Sequence, residues 1–289
     1  MDRRLPLKWN QPKALPGVQS QTCRQKEEQD LKEGSVMIDQ PKARRFGLIV
    51  GLGVGAGIFY YRSLVKAHLA MGLSPNILMV HADVRKVMAH AAARETEELA
   101  AYLSSLLRQL ADGGAETATI PAFSPQICAR ELAEITPLPL IDLLDAIVAK
   151  VERRNVQRLS IFGARVTMET ALFGKLQNQD VIAPKPSETD AVTHIYQRIV
   201  EEERTSSEDY ARLRALAHSL IEREQLDAIL LAGTDLSFVF TPENTDFPNI
   251  DGARTHIDAI MHRLVPGFIE ADLTDGLSGD LPVAPFMLD

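Results

Sequence analysis

The stretch that most constrains this chain is a short apolar run feeding a segment with glycine at every second position. Phe46-Gly47-Leu48-Ile49-Val50 passes straight into Gly51, Gly53, Gly55 and Gly57. An apolar run of this length with a β-branched end suits a buried strand. Alternating glycines let the backbone turn tightly and approach other groups closely before a helix begins. The uncharged run from Phe46 to Tyr61 spans 16 residues behind Arg44 and Arg45. That is shorter than the ~20 residues a membrane span needs, and its four glycines make it a poor helix. It is read as a strand and loop opening an α/β unit, not as a signal or an anchor.

The same plan recurs along the chain. Residues 58–70 carry apolar side chains at helical spacing, 76–81 form a second apolar strand, and 84–110 are expected as one long helix. A third strand is expected over 115–121, a helix over 126–135 and a short fourth strand over 138–141. A second series follows: a strand at 158–162, a loop at 163–168 leading to a helix, a short strand at 180–183, helices at 191–203 and 209–225, and a strand at 226–231. Short buried strands alternating with helices predict parallel sheets covered on both faces. Gly51 and Gly163 are 112 residues apart, and Ala122 and Gly233 are 111 apart. Two similar units that face each other would bring their strand-end loops into a common cleft, the usual ligand position in such sheets. The expected fold class is therefore α/β, with two pseudo-symmetric domains and a ligand cleft between them. Residues 46–148 plus 251–289 form the first domain, and 149–250 the second.

Charge and cysteine content exclude several functions. Lys+Arg number 31 and Asp+Glu 39, a net charge of −8, which argues against a nucleic-acid coat or a polybasic membrane binder. Residues 1–45 depart from this balance, with 10 basic and 6 acidic side chains and no clear periodicity. They are read as a disordered tail, with Met37 as an alternative start. Cys23 and Cys128 are the only cysteines. They exclude a disulfide framework and a four-thiolate metal site, and suit a reducing, cytoplasmic setting.

Individual motifs carry less. Gly51-Leu52-Gly53-Val54-Gly55-Ala56 fits the G-x-G-x-x-A pattern of dinucleotide loops, with Asp83 as the candidate ribose acid. Asp83 lies 27 residues past Ala56, where about 20 are expected; the loop is better read as general anion-binding material than as a nicotinamide site. His81, His194 and His256 fall near expected element ends, and histidine is the obvious base near neutral pH. A pair such as His81 and Asp83 has no third ligand in the pattern, so no metal is expected. Arg85 and Arg165 are candidate carboxylate clamps, since a guanidinium grips a carboxylate through two parallel hydrogen bonds. Cys128 is read as a small buried core residue.

Several stretches together resemble a known family. Gly47-Leu48-Ile49-Val50-Gly51-Leu52-Gly53 followed by Tyr61-Arg62 is similar to the opening of the aspartate/glutamate racemases. Gly163-Ala164-Arg165-Val166-Thr167-Met168-Glu169 resembles that family's G-T-R-x-T-M-E loop. Residues 120–124 and 231–235 look like its two catalytic loops, and Asp251 with Arg254 and His256 resembles its closing helix. The resemblance implies a cofactor-independent amino-acid racemase, in which one cysteine thiolate takes the α-proton and a second, opposite, returns one. It places those cysteines at Ala122 and Gly233, neither of which can carry a proton. It also implies substrate contacts at Phe123, Ser124, Thr234 and Asp235, with Phe123 narrowing the pocket; the glycine loop at Gly51 and Gly53 and the candidate clamps Arg85 and Arg165 complete the expected binding residues. Asp235, His256 and His81 are the candidate substitutes for the missing thiols.

Three functions stay open from the sequence: a racemase-like isomerase, a relative that only binds a carboxylate, and a decarboxylase or cis–trans isomerase in the same cleft. The expected ligand is a small amino acid or dicarboxylate, with no cofactor, no nucleic acid and no membrane; a homodimer is compatible.

Overall fold

The computed structural model describes residues 44–265 and 268. The expected tail, apart from residues 44 and 45, and the alternative start at Met37 lie outside the described residues.

Two parallel sheets carry the architecture. In the first half, strand β1 (Phe46–Val50) is followed by α1 (Val54–Ala70), β2 (Ile77–His81), α2 (Val84–Ala93), α3 (Thr96–Asp112) and β3 (Thr117–Thr119). A 3-10 turn (Ser124–Cys128), α4 (Ala129–Ile135) and α5 (Leu143–Arg153) complete it. The second half runs β4 (Arg158–Gly163), α6 (Arg165–Glu169), β5 (Asp180–Val181), α7 (Pro186–Glu202), α8 (Ser207–Glu224), β6 (Ala228–Ala232), α9 (Leu236–Val239), β7 (Asn249–Asp251) and α10 (Gly252–Leu264).

The first sheet has the order β2-β1-β3 and the second β5-β4-β6-β7, with all pairs parallel. Within each half, the first strand lies between the second and the third. The likeness extends to the fourth position, where Leu140 makes a single parallel bridge to Ala118, as β7 pairs with β6. The expected pseudo-symmetric α/β fold is what the chain adopts.

The helices that close each half cross over. Leu143, Leu144, Ile147 and Val151 of α5 belong to the apolar core around β4 and β6. Ala253, Ile257, Ile260 and Met261 of α10 pack instead with Phe46, Leu48, Tyr60 and Leu64 of the first half. The boundary expected at residue 148 thus falls inside α5, whose whole apolar face lies under the second sheet. Both helices begin on an aspartate cap: Asp142 accepts from the Asp145 amide at 2.8 Å and Asp251 from the Arg254 amide at 2.9 Å, satisfying donors the first helical turn leaves free.

The structure departs from expectation most clearly between 84 and 110. The expected single helix breaks at Arg94, which adopts the left-handed conformation (φ 57°) between α2 and α3. The sequence offers no glycine or proline there to announce the break. Beyond it, Leu99, Leu103, Leu106, Leu107 and Leu110 line one stripe of α3 and are all buried, the spacing of an amphipathic helix on a sheet.

Candidate active site

The glycine loop sets the first wall of the cleft. Gly51 (φ 89°) and Gly53 (φ 145°) have backbones that side-chain-bearing residues rarely adopt. A Cβ on Gly51 would sit 2.7 Å from both the Ala82 carbonyl oxygen and the His81 ring. Gly53 caps α1 with no side-chain hydrogen bond, and the Ala56 amide of that first turn bonds instead to Asp235.

What meets them comes from the other half. Asp235, at the end of the β6 loop, is 2% exposed, and its carboxylate lies 3.4 and 3.5 Å from the Cβ positions of Gly53 and Gly55. Thr234 Oγ1 donates to Asp235 Oδ2 at 3.3 Å, while Oδ1 has no hydrogen-bond partner. Burial pushes the Asp235 carboxyl up to about 6, against the pull of the Thr234 hydroxyl and backbone amides, that of Ala56 among them. Removing a carboxylate from water disfavours its charged form.

A cavity of about 640 Å³ opens beside Asp235, within the usual range for small-molecule sites. The first half contributes Gly51 to Val54, Val84, Met88, Ser124 and Ile127. The second contributes Arg165, Thr193, Tyr196, Glu201, Glu203 and Asp235, with neighbours. Every titratable side chain in the wall comes from the second half.

Tyr196 is the residue that sequence reasoning missed. A Cβ on Gly233 would lie 2.4 Å from Tyr196 Cε2, 2.7 Å from Cζ and 3.0 Å from Oη. The ring therefore fills the space into which a side chain at 233 would project. Its hydroxyl interacts with Thr234 and Asp235, and burial together with the Asp235 charge pushes the phenol well above its ordinary value. No local signal marks Tyr196: it sits mid-helix on α7 and meets a loop 37 residues later. Glu201 and Glu203 belong to a charge-dense segment at the end of α7, and the structure puts them in the cavity wall.

Of the expected site residues, Gly51, Gly53, Ser124, Arg165 and Asp235 line the cavity together. The others do not. Ala122 is buried behind the loop, where its carbonyl accepts from Gln126 Nε2 at 2.9 Å. Gly233 and Thr234 are buried as well. Phe123 does not narrow the pocket: it is 3% exposed and joins the apolar core of the second half, its Cζ 2.8 Å from the Cβ position of Gly252. Arg165 reaches the cavity, but its guanidinium is held by Glu169 at 3.2 Å and by Asp190.

Arg85 is exposed and paired with Asp83 at 3.6 Å. Asp83 in turn caps α2, accepting from the Arg85 amide at 3.0 Å. His81 is exposed at the end of β2, outside the cavity. His256 is fully buried among Tyr60 Oη (3.1 Å), Thr119 Oγ1 (2.9 Å) and the Ile141 carbonyl (2.9 Å). Burial holds its imidazole down at about 4; it joins α10 to the first sheet and is no base for the cleft. His194 is exposed on α7. Cys128 is buried with its thiol donating to the Pro125 carbonyl at 3.2 Å, and burial pushes it up to about 12, which fits the expected core role.

The model of the Asp/Glu/hydantoin racemase family matches residues 49–260. The chain belongs to this family. Its fold is that of solved family structures. A Yersinia pestis protein provisionally named an Asp/Glu racemase aligns with TM-score 0.64 and 21% identity, covering 81% of this chain and 99% of that one. The Picrophilus torridus aspartate racemase aligns with TM-score 0.63 and 15% identity over 80% of this chain and 99% of that one. A Francisella tularensis glutamate racemase in complex with D-glutamate gives 0.54 and 14% over 83% and 95%. No curated protein matches the chain. Among the described residues no helix is long and apolar enough to cross a membrane, and no group of three or more His, Cys, Asp or Glu side chains could hold a metal ion.

Proposed function

We propose that this family member is a racemase-like isomerase that moves a proton at the α-carbon of a small amino acid or dicarboxylate, without a cofactor. Asp235 is the base. The observation that carries this reading is the one-sided wall: Asp235, Tyr196, Glu201 and Glu203 all project from the second half, while the first supplies the glycine loop and Ser124. At about 6, the Asp235 carboxyl is mostly ionised at neutral pH yet basic enough to hold a proton in transit, the balance that general acid–base catalysis favours. Tyr196, kept neutral by burial, donates a hydrogen bond from where a residue-233 side chain would lie. The amides at the start of α1 stabilise negative charge developing on the substrate.

Inversion needs a proton to leave one face and arrive at the other. With Ala122 on the first loop and no acid opposite Asp235, proton exchange with retention outruns racemisation. The test is incubation in D₂O with a panel of amino, hydroxy and dicarboxylic acids, read by mass spectrometry and chiral separation. Deuterium at the α-carbon with little inversion is expected; equal rates of exchange and inversion would contradict the one-sided site. The cytoplasm is the expected setting.

A second reading, a binding protein without catalysis, draws on one specific observation. The two positions the family resemblance gives to cysteines carry no side chain able to transfer a proton, and Tyr196 covers one of them. Saturable binding of a carboxylate with no exchange of any acid in the panel would favour it.

A further inference from the structure

Two of the cavities lined by both halves share one carboxylate. Asp235 and Phe238 flank the first turn of α1, with Phe238 Cε1 3.2 Å from the Cβ position of Gly55. On the far side from the 640 Å³ cavity lies a second one of about 330 Å³. Only Glu203 borders both. Three cations line this second chamber, Arg62, Lys66 and Arg254, against two carboxylates, Glu203 and Glu243.

The cations are not equivalent. Arg254 is engaged with Asp251 at 3.2 Å and with the Ser237 carbonyl, and lies 5.2 Å over the Phe59 ring. Arg62 and Lys66 make no hydrogen bond or ion pair with any described residue. They stand four residues apart on α1, which places neighbouring side chains on one helix face about 6 Å apart. Ile58, Phe59 and Phe238 supply apolar wall beside them, and Ile58 is 47% exposed. Cations without partners among the described residues, next to open apolar surface in a concave site at the small end of the ligand-pocket range, call for an amphipathic anion.

We propose that this second chamber binds the phosphate monoester of a small apolar or aromatic group, apart from the reacting carboxylate. A single guanidinium would satisfy a carboxylate. A phosphoryl dianion has oxygens enough for a two-pronged contact from Arg62 and a point contact from Lys66. Its apolar body lies against Ile58, Phe59 and Phe238. Because Glu203 is shared and the wall spans both halves, occupancy of this chamber bears directly on the candidate active site.

The probe is phenyl phosphate, titrated calorimetrically into the full chain at low salt, with benzoate and inorganic phosphate alongside. Saturable binding of phenyl phosphate is expected, at least tenfold tighter than either companion and weakening as salt rises. The double substitution Arg62→Ala with Lys66→Ala, at exposed and half-buried surface positions, should weaken it at least tenfold; Arg165→Ala, in the other cavity, should leave it unchanged. Benzoate binding as tightly would overturn the phosphate class. Absence of saturable binding, equal binding by the double variant, or loss of binding in Arg165→Ala would overturn the site. None of these readouts depends on α-proton exchange.

Discussion

Replacing Asp235 by asparagine should make the protein more stable at neutral pH, although it removes the proposed base. Burial raises the carboxyl from an ordinary value near 3.8 to about 6 in the folded chain. At about 1.36 kcal/mol per pKa unit, holding it ionised in the fold costs about 3 kcal/mol relative to the unfolded chain. The sign follows from proton binding. Between about pH 4 and 6 the folded state keeps the proton and the unfolded state has lost it, so stability attributable to this group falls as pH rises and levels off above 6. Asparagine has the same shape and cannot ionise. Urea midpoints for wild type and Asp235→Asn should therefore differ little at pH 4, diverge through pH 5, and settle above pH 6.5 with the variant ahead by about 3 kcal/mol. His256 titrates in an overlapping window with the opposite sign, but it is present in both proteins and cancels in the difference. A gap independent of pH, or a variant less stable than wild type at pH 7, would refute the reasoning. A functional group held at a stability cost is common at active sites.

Further outcomes follow from the same geometry. Gly233→Ala should destabilise by about 1–3 kcal/mol through overpacking, since its Cβ would press on the Tyr196 ring at 2.4 Å; adding Tyr196→Ala should recover part of that loss in a urea titration. His256→Ala should cost about 2–4 kcal/mol by leaving a cavity and an orphaned Tyr60 hydroxyl. The imidazole is held at about 4, so its contribution is complete above pH 6.5 and is lost as pH falls toward 4; melting curves of the pair across that range should converge at low pH. Cys128, buried and pushed up to about 12, should resist iodoacetamide in the native protein and react once denatured, as peptide mass spectrometry will show.

Much of the fold was legible in the sequence because each strand is a short apolar run ending in glycine or a polar loop. β1, β4 and β6 fall where those runs fall, and the glycine loop announces the turn its positive φ angles require. What stayed hidden depends on partners distant in sequence. The break at Arg94 has no glycine to mark it. β7 is only three residues long, and the crossing of α5 and α10 between the halves is decided by which core each apolar face finds. The site follows the same division. Asp235, Ser124, Arg165 and the glycines were visible as loop residues at strand ends, where ligands collect. Tyr196 was not, because a mid-helix tyrosine looks like core until the glycine that admits its ring is placed against it. Phe123 and His256 stand beside loop and cap residues that suggest the cleft, yet both side chains are buried in the interior.

The central claim is that Asp235 moves the proton, and the pH profile of α-deuterium incorporation tests it most directly. For an acid exchanged by the wild type, the rate should rise with pH as Asp235 ionises, with a midpoint near 6, and flatten above it. In Asp235→Asn the rate should fall by about 10²–10⁴-fold and lose that midpoint. Exchange that survives the substitution with its midpoint unchanged would contradict the account and move the chemistry to another group.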